Sequence, residues 1–174
     1  QTASNQWMGA SNAFTVISGE FSRSTASIEQ MIHNHRPDII YIDAMYLMSP
    51  AARERGFVSR WETISGVMRE VKQIALSYRI PIVATVQFNR NRRDNGGGTP
   101  DLGDIGGSDA IPQDASAIIG KQRMEGFPHI RRSTIMKNRV GVLGEFFSRF
   151  EFEPRVRFDE IPEDTVDAIL NGID

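Results

Sequence analysis

The chain contains no cysteine, so disulfides and thiolate metal sites are excluded and a reducing compartment is compatible with its chemistry. No apolar run approaches the roughly 20 residues needed to span a bilayer, so no membrane partner is expected. Histidine is scarce. His33, His35 and His129 fall in no HExxH or zinc-finger spacing, and the first two fit a helix end, where a cation suits the dipole. Neither charge dominates. The 20 Lys and Arg against 22 Asp and Glu leave a net charge of −2, which argues against a broad basic coat but not against a local basic loop. There is no internal repeat and no low-complexity segment. What is present is ordinary for a globular protein: 174 residues, 40% hydrophobic and 24% charged, a length that fits a single domain over 1–174.

The stretch 38–48, DIIYIDAMYLM, organises the rest. Ile39, Ile40, Tyr41 and Ile42 form an apolar run without alternation, which reads as a strand buried on both faces. It ends on Asp43. A carboxylate at the carboxyl end of such a strand sits where open α/β sheets bind ligands, and four apolar residues followed by Asp have the shape of a Walker B strand. The plain alternative is a buried strand ending in a solvated aspartate.

The segments around it supply crossovers. Phe14 to Ile17 is a short strand candidate, and Ser24, Thr25 or Ser27 can cap a helix running to about His35, closed by Pro37. Strand, helix, strand is the unit of a parallel sheet. Residues 59–78 make the clearest helix, with Trp61, Ile64, Val67, Met68, Val71, Ile74, Ala75 and Tyr78 in steps of three and four. After Pro81 a second buried strand, residues 82–86, runs into Gln87, Phe88, Asn89 and Arg90. Residues 89–107, NRNRRDNGGGTPDLGDIGG, form the longest irregular stretch, and loops of this length in a domain are functional or disordered. A short helical turn is expected over 108–116 and a short buried strand over 117–120. Then come a polar turn over 122–129 and two strands around Ile135 and over 145–152, the latter with Phe146, Phe150 and Phe152 on one face. Lys137 and Arg139 lie in the turn between them, an exposed basic hairpin tip. A final helix starts at Pro162.

Four blocks in this order resemble the C-terminal RecA-like motor domain of DnaB-like replicative hexameric helicases, including phage forms. They are DIIYIDAMYLM, IPIVATVQFNR, DIGGSDAIPQDASAII and MKNRVGVLGEF, and the likeness covers about residues 14–158. The fold it implies is α/β: a mostly parallel RecA-like sheet of the P-loop NTPase type flanked by helices, with an antiparallel C-terminal hairpin and an incomplete core. It implies ATP and Mg²⁺ as cofactors, with Asp43 on the metal and Gln87 sensing the γ-phosphate. Lys137 and Arg139 would reach a neighbouring subunit's nucleotide. Single-stranded DNA would be tracked by Asn89, Arg90, Arg92, Arg93, Gly106 and Gly107 on a flexible loop, 89–107, and by Ser108 directly after it. The further implied partners are copies of the chain in a hexameric ring, a primase and a helicase loader, in the cytoplasm of a bacterial or phage-infected cell.

The chain departs from that pattern in two places. No GxxxxGK[ST] motif is present, so it is expected to be the C-terminal portion of a longer motor domain, inactive alone for want of the phosphate-cradling amides. Gly106 and Gly107 stand where the family tends to have Arg-Glu, which leaves backbone rather than side-chain DNA contacts there. Two other readings remain: a RecA-type recombination or repair ATPase, and a non-catalytic RecA-like module that binds DNA or partners.

Overall fold

The computed structural model describes residues 14–17, 23–51, 59–88, 101–105, 110–153 and 156–170. Contacts divide the chain into two compact units, Gln1–Thr85 and Val86–Asp174.

The first unit is built from two helices and a parallel strand pair. Helix α1 (Thr25–His35) follows Ser24 in extended conformation, and its His33 and His35 occupy the last turn. Strand β1 (Ile40–Ile42) follows directly, and a 3-10 turn (Met45–Leu47) comes after Asp43. Helix α2 (Arg60–Tyr78) starts at a complete capping box. The Ser59 hydroxyl accepts from the Glu62 backbone N–H, while the Glu62 carboxylate accepts from the Ser59 N–H, so two amides that the first turn leaves orphaned are satisfied. Ile64, Val67, Met68, Val71 and Ile74 of α2 are buried, as are Ile28 and Ile32 of α1 and Met45 of the 3-10 turn. Thr25 is buried and donates its hydroxyl to the Glu70 carboxylate, which also accepts the Ala51 N–H at 2.9 Å, so the start of α1 and the chain after Pro50 share one anchor on α2. Strand β2 (Ile82–Ala84) pairs in parallel with β1, Ile40 opposite Ile82 and Ile42 opposite Ala84.

In the second unit, a 3-10 turn (Leu102–Asp104) and helix α3 (Ala110–Asp114) lead into four antiparallel strands in sequential order: β3 (Ala117–Met124), β4 (Phe127–Asn138), β5 (Gly144–Glu151) and β6 (Arg157–Ile161). Helix α4 (Glu163–Leu170) covers one face, where Ile130, Ile161 and Val166 are buried with Met124, Phe127, Phe147 and Ile169 around them. No helix among the described residues is long and apolar enough to cross a membrane.

Four expectations change. β1 and β2 are not buried on both faces: their middle residues, Tyr41 and Val83, are 66% and 47% exposed, because nothing among the described residues covers that side of the pair. Phe14 to Ile17 form no strand; Phe14 and Val16 are 74% and 80% exposed, with no neighbouring strand among the described residues to cover them. The polar turn expected over 122–129 shrinks to Glu125 and Gly126, because β3 and β4 run on through Lys121 to Arg123 and Phe127 to Arg132. Charged residues there hid the period of two, since one face of these strands carries cations rather than apolar residues. Among the described strands the parallel part is the β1–β2 pair alone, and the antiparallel part is a four-stranded sheet rather than a hairpin.

Candidate functional site

Asp43 leaves the end of β1, and its neighbour across the parallel pair is set by register. The pairing of Ile42 with Ala84 brings residues 43 and 85 side by side at the next step, beyond the last ladder bond. Thr85 accordingly donates its hydroxyl to Asp43 Oδ1 at 2.5 Å. The backbone locks the same corner: the Thr85 N–H donates to Ile42 O at 3.0 Å, and the Met45 N–H to Thr85 O at 3.1 Å. Both side chains are exposed. The result is an exposed carboxylate, held through Oδ1 by Thr85, at the carboxyl end of a parallel strand.

This donor set suits Mg²⁺, a hard cation that takes one or two protein oxygens and completes its shell with water and substrate phosphates. A cage of three or more acidic or histidine side chains is not found among the described residues. The amides of a GxxxxGK[ST] loop are not supplied by this sequence.

Gln87 follows the end of β2 by three residues, belongs to the second unit and is exposed. The side chain held against Asp43 is that of Thr85, which sequence reasoning passed over by running the strand to Val86. Register would have found it: a hydroxyl residue lies on the next strand one step past its final residue, level with the acid.

Lys137 and Arg139 come together at the far end of β4. Lys137 Nζ donates to the carbonyls of Pro112 and Gln113, the latter at 3.1 Å, and Arg139 Nη2 donates to Gln113 O at 3.0 Å. These are terminal carbonyls of α3, left without helical partners, and cations stabilise that end of a helix. The Arg139 N–H is tied to Ser116 O at 3.0 Å. The guanidinium remains exposed, whereas Lys137 is half-buried. Past Arg139 the hairpin tip carries Val140, Val142 and Leu143, all exposed.

Asn89, Arg90, Arg92, Arg93, Gly106, Gly107 and Ser108 lie outside the described residues. The stem of their loop is described. Phe88 and Ile105 form an antiparallel bridge, Ile105 is buried, and the Asp101 carboxylate accepts the Gly103 N–H at 2.9 Å. Asp101 and Leu102 share a cleft of about 410 Å³ with Thr134, Ile135 and Met136 of β4 and Leu143, Gly144 and Glu145. The base of the arginine loop and the hairpin bearing Lys137 and Arg139 thus line one space.

Comparisons with known proteins bear on the family and the fold. The family model for the DnaB-like helicase C-terminal domain matches residues 11–160. A probable plasmid replicative DNA helicase of Chlamydia muridarum is 30% identical over 128 residues, 74% of this chain and 27% of that protein. The replicative DNA helicase DnaB of Helicobacter pylori is 31% identical over 127 residues, 66% of this chain and 25% of that protein. The chain therefore spans about a quarter of the length of these curated relatives. Among solved structures, a DnaB-like replicative helicase described with its interactions with primase superposes with a TM-score of 0.67 at 26% identity, over 75% of this chain and 33% of that one. A second solved structure, an ATPase domain, superposes with a TM-score of 0.70 at 24% identity, over 80% and 52%, a likeness of fold. The fold is the RecA-like α/β class, and the chain belongs to the DnaB-like helicase C-terminal domain family.

Proposed function

We propose that this chain is part of an ATP-dependent replicative DNA helicase that moves along single-stranded DNA as a hexameric ring and hydrolyses ATP between subunits. The observation that carries the reading is the corner at the end of β1, where the Thr85 hydroxyl donates to the exposed Asp43 carboxylate, in a chain whose family model matches residues 11–160.

The family uses nucleotide and Mg²⁺ in general. In this reading Asp43 holds Mg²⁺, which when bound neutralises charge on the β- and γ-phosphates. Thr85 keeps the carboxylate oriented, so that little reorganisation is needed on binding. Gln87 senses the γ-phosphate through its amide. Lys137 and Arg139 serve a neighbouring subunit's nucleotide, and their present acceptors favour a coupled role. They grip α3, whose first residue, Ala110, lies two positions after Ser108. Movement of the loop on DNA would pull on the same carbonyls. Arg90, Arg92 and Arg93, with Asn89, Gly106, Gly107 and Ser108, follow the phosphates of the strand without reading bases. Primase and a loader are the proposed further partners.

One competitor is a non-catalytic RecA-like module that binds DNA or partners. A single experiment separates the two. In the intact protein carrying this chain, ATP hydrolysis stimulated by single-stranded DNA and unwinding of a forked duplex are measured for the wild type and Arg139→Ala. The helicase reading expects Arg139→Ala to lose at least about 1,000-fold in hydrolysis, at the lower end of what such a trans-acting cation contributes, and to keep its DNA affinity. No DNA-stimulated hydrolysis in the wild type supports the module; unchanged turnover in Arg139→Ala removes the cation from the site.

A further inference from the structure

The sheet of the second unit has two faces. One is packed under α4. Register puts Lys121, Arg123, Arg131, Phe150 and Phe158 on the other: Arg123 stands opposite Arg131, Arg131 opposite Ser148, and Phe150 opposite Phe158, while Phe147 and Ile161 pair on the α4 side. Arg123 and Arg131 are like charges directly across a strand pair, an arrangement that costs stability unless something offsets it. Arg131 Nη1 donates to the carbonyls of Pro128 at 2.6 Å and Ile130 at 3.0 Å, but no carboxylate pairs with either cation among the described residues. Register puts Glu160 on the same face, and Glu151 and Glu153 line the adjoining cleft; Glu151 is paired with Arg149 at 3.8 Å, and Lys121, Arg123 and Arg131 form no ion pair among the described residues. Burial, then the Arg131 charge, lowers the Lys121 ammonium from its ordinary value, and burial, then Arg123, lowers the Arg131 guanidinium.

Between these cations runs a row of rings. Phe158 and Phe150 meet edge to face at 5.9 Å, and Phe150 and Phe152 at 4.7 Å. Lys121 Nζ sits 4.0 Å from the Phe158 centroid, and the Arg131 guanidinium 5.5 Å from that of Phe150. Phe152 and Phe158 are 65% and 54% exposed. A cleft of about 500 Å³ opens among Arg123, His129, Arg131, Phe150 and Phe152. Cations without carboxylate partners, interleaved with exposed rings, match a polyanion that also has flat apolar faces, which is a single-stranded nucleic acid.

We propose that this outer face of the β3–β6 sheet is a second binding surface for single-stranded DNA, with Lys121, Arg123 and Arg131 on phosphates and Phe152 and Phe158 stacking on bases. The proposal deepens the helicase reading, in which only the loop at 89–108 touches DNA, and it rests on that reading only for the identity of the strand as DNA.

The test uses the intact protein and fluorescein-labelled oligothymidylate in anisotropy titrations across a salt series. Substituting Lys121, Arg123 and Arg131 together by Ala should weaken binding at least tenfold and flatten the log–log salt slope by about 2, three phosphates at roughly 0.7 each. Phe158→Leu should weaken binding about tenfold and leave the slope unchanged. Replacing Arg90, Arg92 and Arg93 is the parallel arm: loss there alone leaves the helicase reading standing and overturns the second surface. Photo-crosslinking of wild-type protein to 5-iododeoxyuridine oligonucleotides gives an answer that does not depend on any variant folding. Crosslinks mapped to Phe150, Phe152 or Phe158 support the proposal, and crosslinks confined to other segments overturn it. A triple variant with altered oligomeric mass but unchanged DNA affinity also overturns it, because the face is then a protein contact.

Discussion

Thr85→Val is the perturbation that asks most about the corner at β1. Valine keeps the branched shape that suits the end of a strand and removes only the hydroxyl that donates to Asp43 Oδ1. Because both residues are exposed, water replaces the lost donor, and the stability cost should be no more than about 0.5–1 kcal/mol, the low end for an intramolecular hydrogen bond. The effect on metal binding is larger. Freeing the Asp43 side chain among three staggered wells costs about 0.65 kcal/mol in orientation, a factor of about three. Removing the whole charge-assisted bond costs about 1.5 kcal/mol, a factor of about ten. The Mg²⁺ concentration for half-maximal ATPase in the intact protein should therefore rise about three- to tenfold, with turnover at saturating Mg²⁺ little changed, and Thr85→Ser should restore the wild-type value. An unchanged Mg²⁺ requirement in Thr85→Val, or equal impairment in Thr85→Ser, would refute the claim that this hydroxyl positions the acid.

Two predictions concern the helix that carries the first unit's core. Ser59→Ala removes the capping box and should cost about 1 kcal/mol, read as a lower thermal midpoint. The Ser59 side-chain and backbone hydrogen bonds hold Glu62 below its ordinary value of 4.5, so this contribution is present above about pH 4.5 and is lost as pH falls through the lowered value; the wild-type advantage over Ser59→Ala should shrink accordingly in acid. Val67 is wholly buried, and Val67→Ala should cost about 2 kcal/mol in denaturant unfolding, whereas Leu76→Ala on the exposed side of the same helix should fall within about 0.5 kcal/mol of wild type.

The legible parts of the sequence were those fixed by local chemistry. Apolar residues in steps of three and four over 59–78 specify a helix and its buried face without reference to anything distant, and α2 begins and ends where that pattern does. The apolar runs ending at Asp43 and near Ala84 likewise marked the parallel pair. Pairwise register was harder. That Thr85 meets Asp43 depends on β2 ending at Ala84, and the apolar Val86 disguises that end. The sheet in the second unit was misjudged for a different reason. Lys121, Arg123 and Arg131 put cations where an apolar face is expected, so β3 and β4, of eight and twelve residues, read as short strands joined by a polar turn, whereas β5 reads as a strand with Phe146 and Phe150 on one face. Lys137 and Arg139 were recognised as a pair, but their shared attachment to α3 joins residues more than twenty positions apart and has no local signature.

The account depends most on Asp43. Asp43→Asn preserves shape and hydrogen bonding to Thr85 while removing the charge, so the intact protein should keep its circular dichroism spectrum and thermal midpoint. Its ATP turnover stimulated by single-stranded DNA, measured at saturating Mg²⁺, should fall at least about 100-fold, a loss of about 2.7 kcal/mol in transition-state stabilisation. Turnover within about threefold of wild type in a folded Asp43→Asn protein would contradict the account and leave the carboxylate at the end of β1 as a solvated surface group.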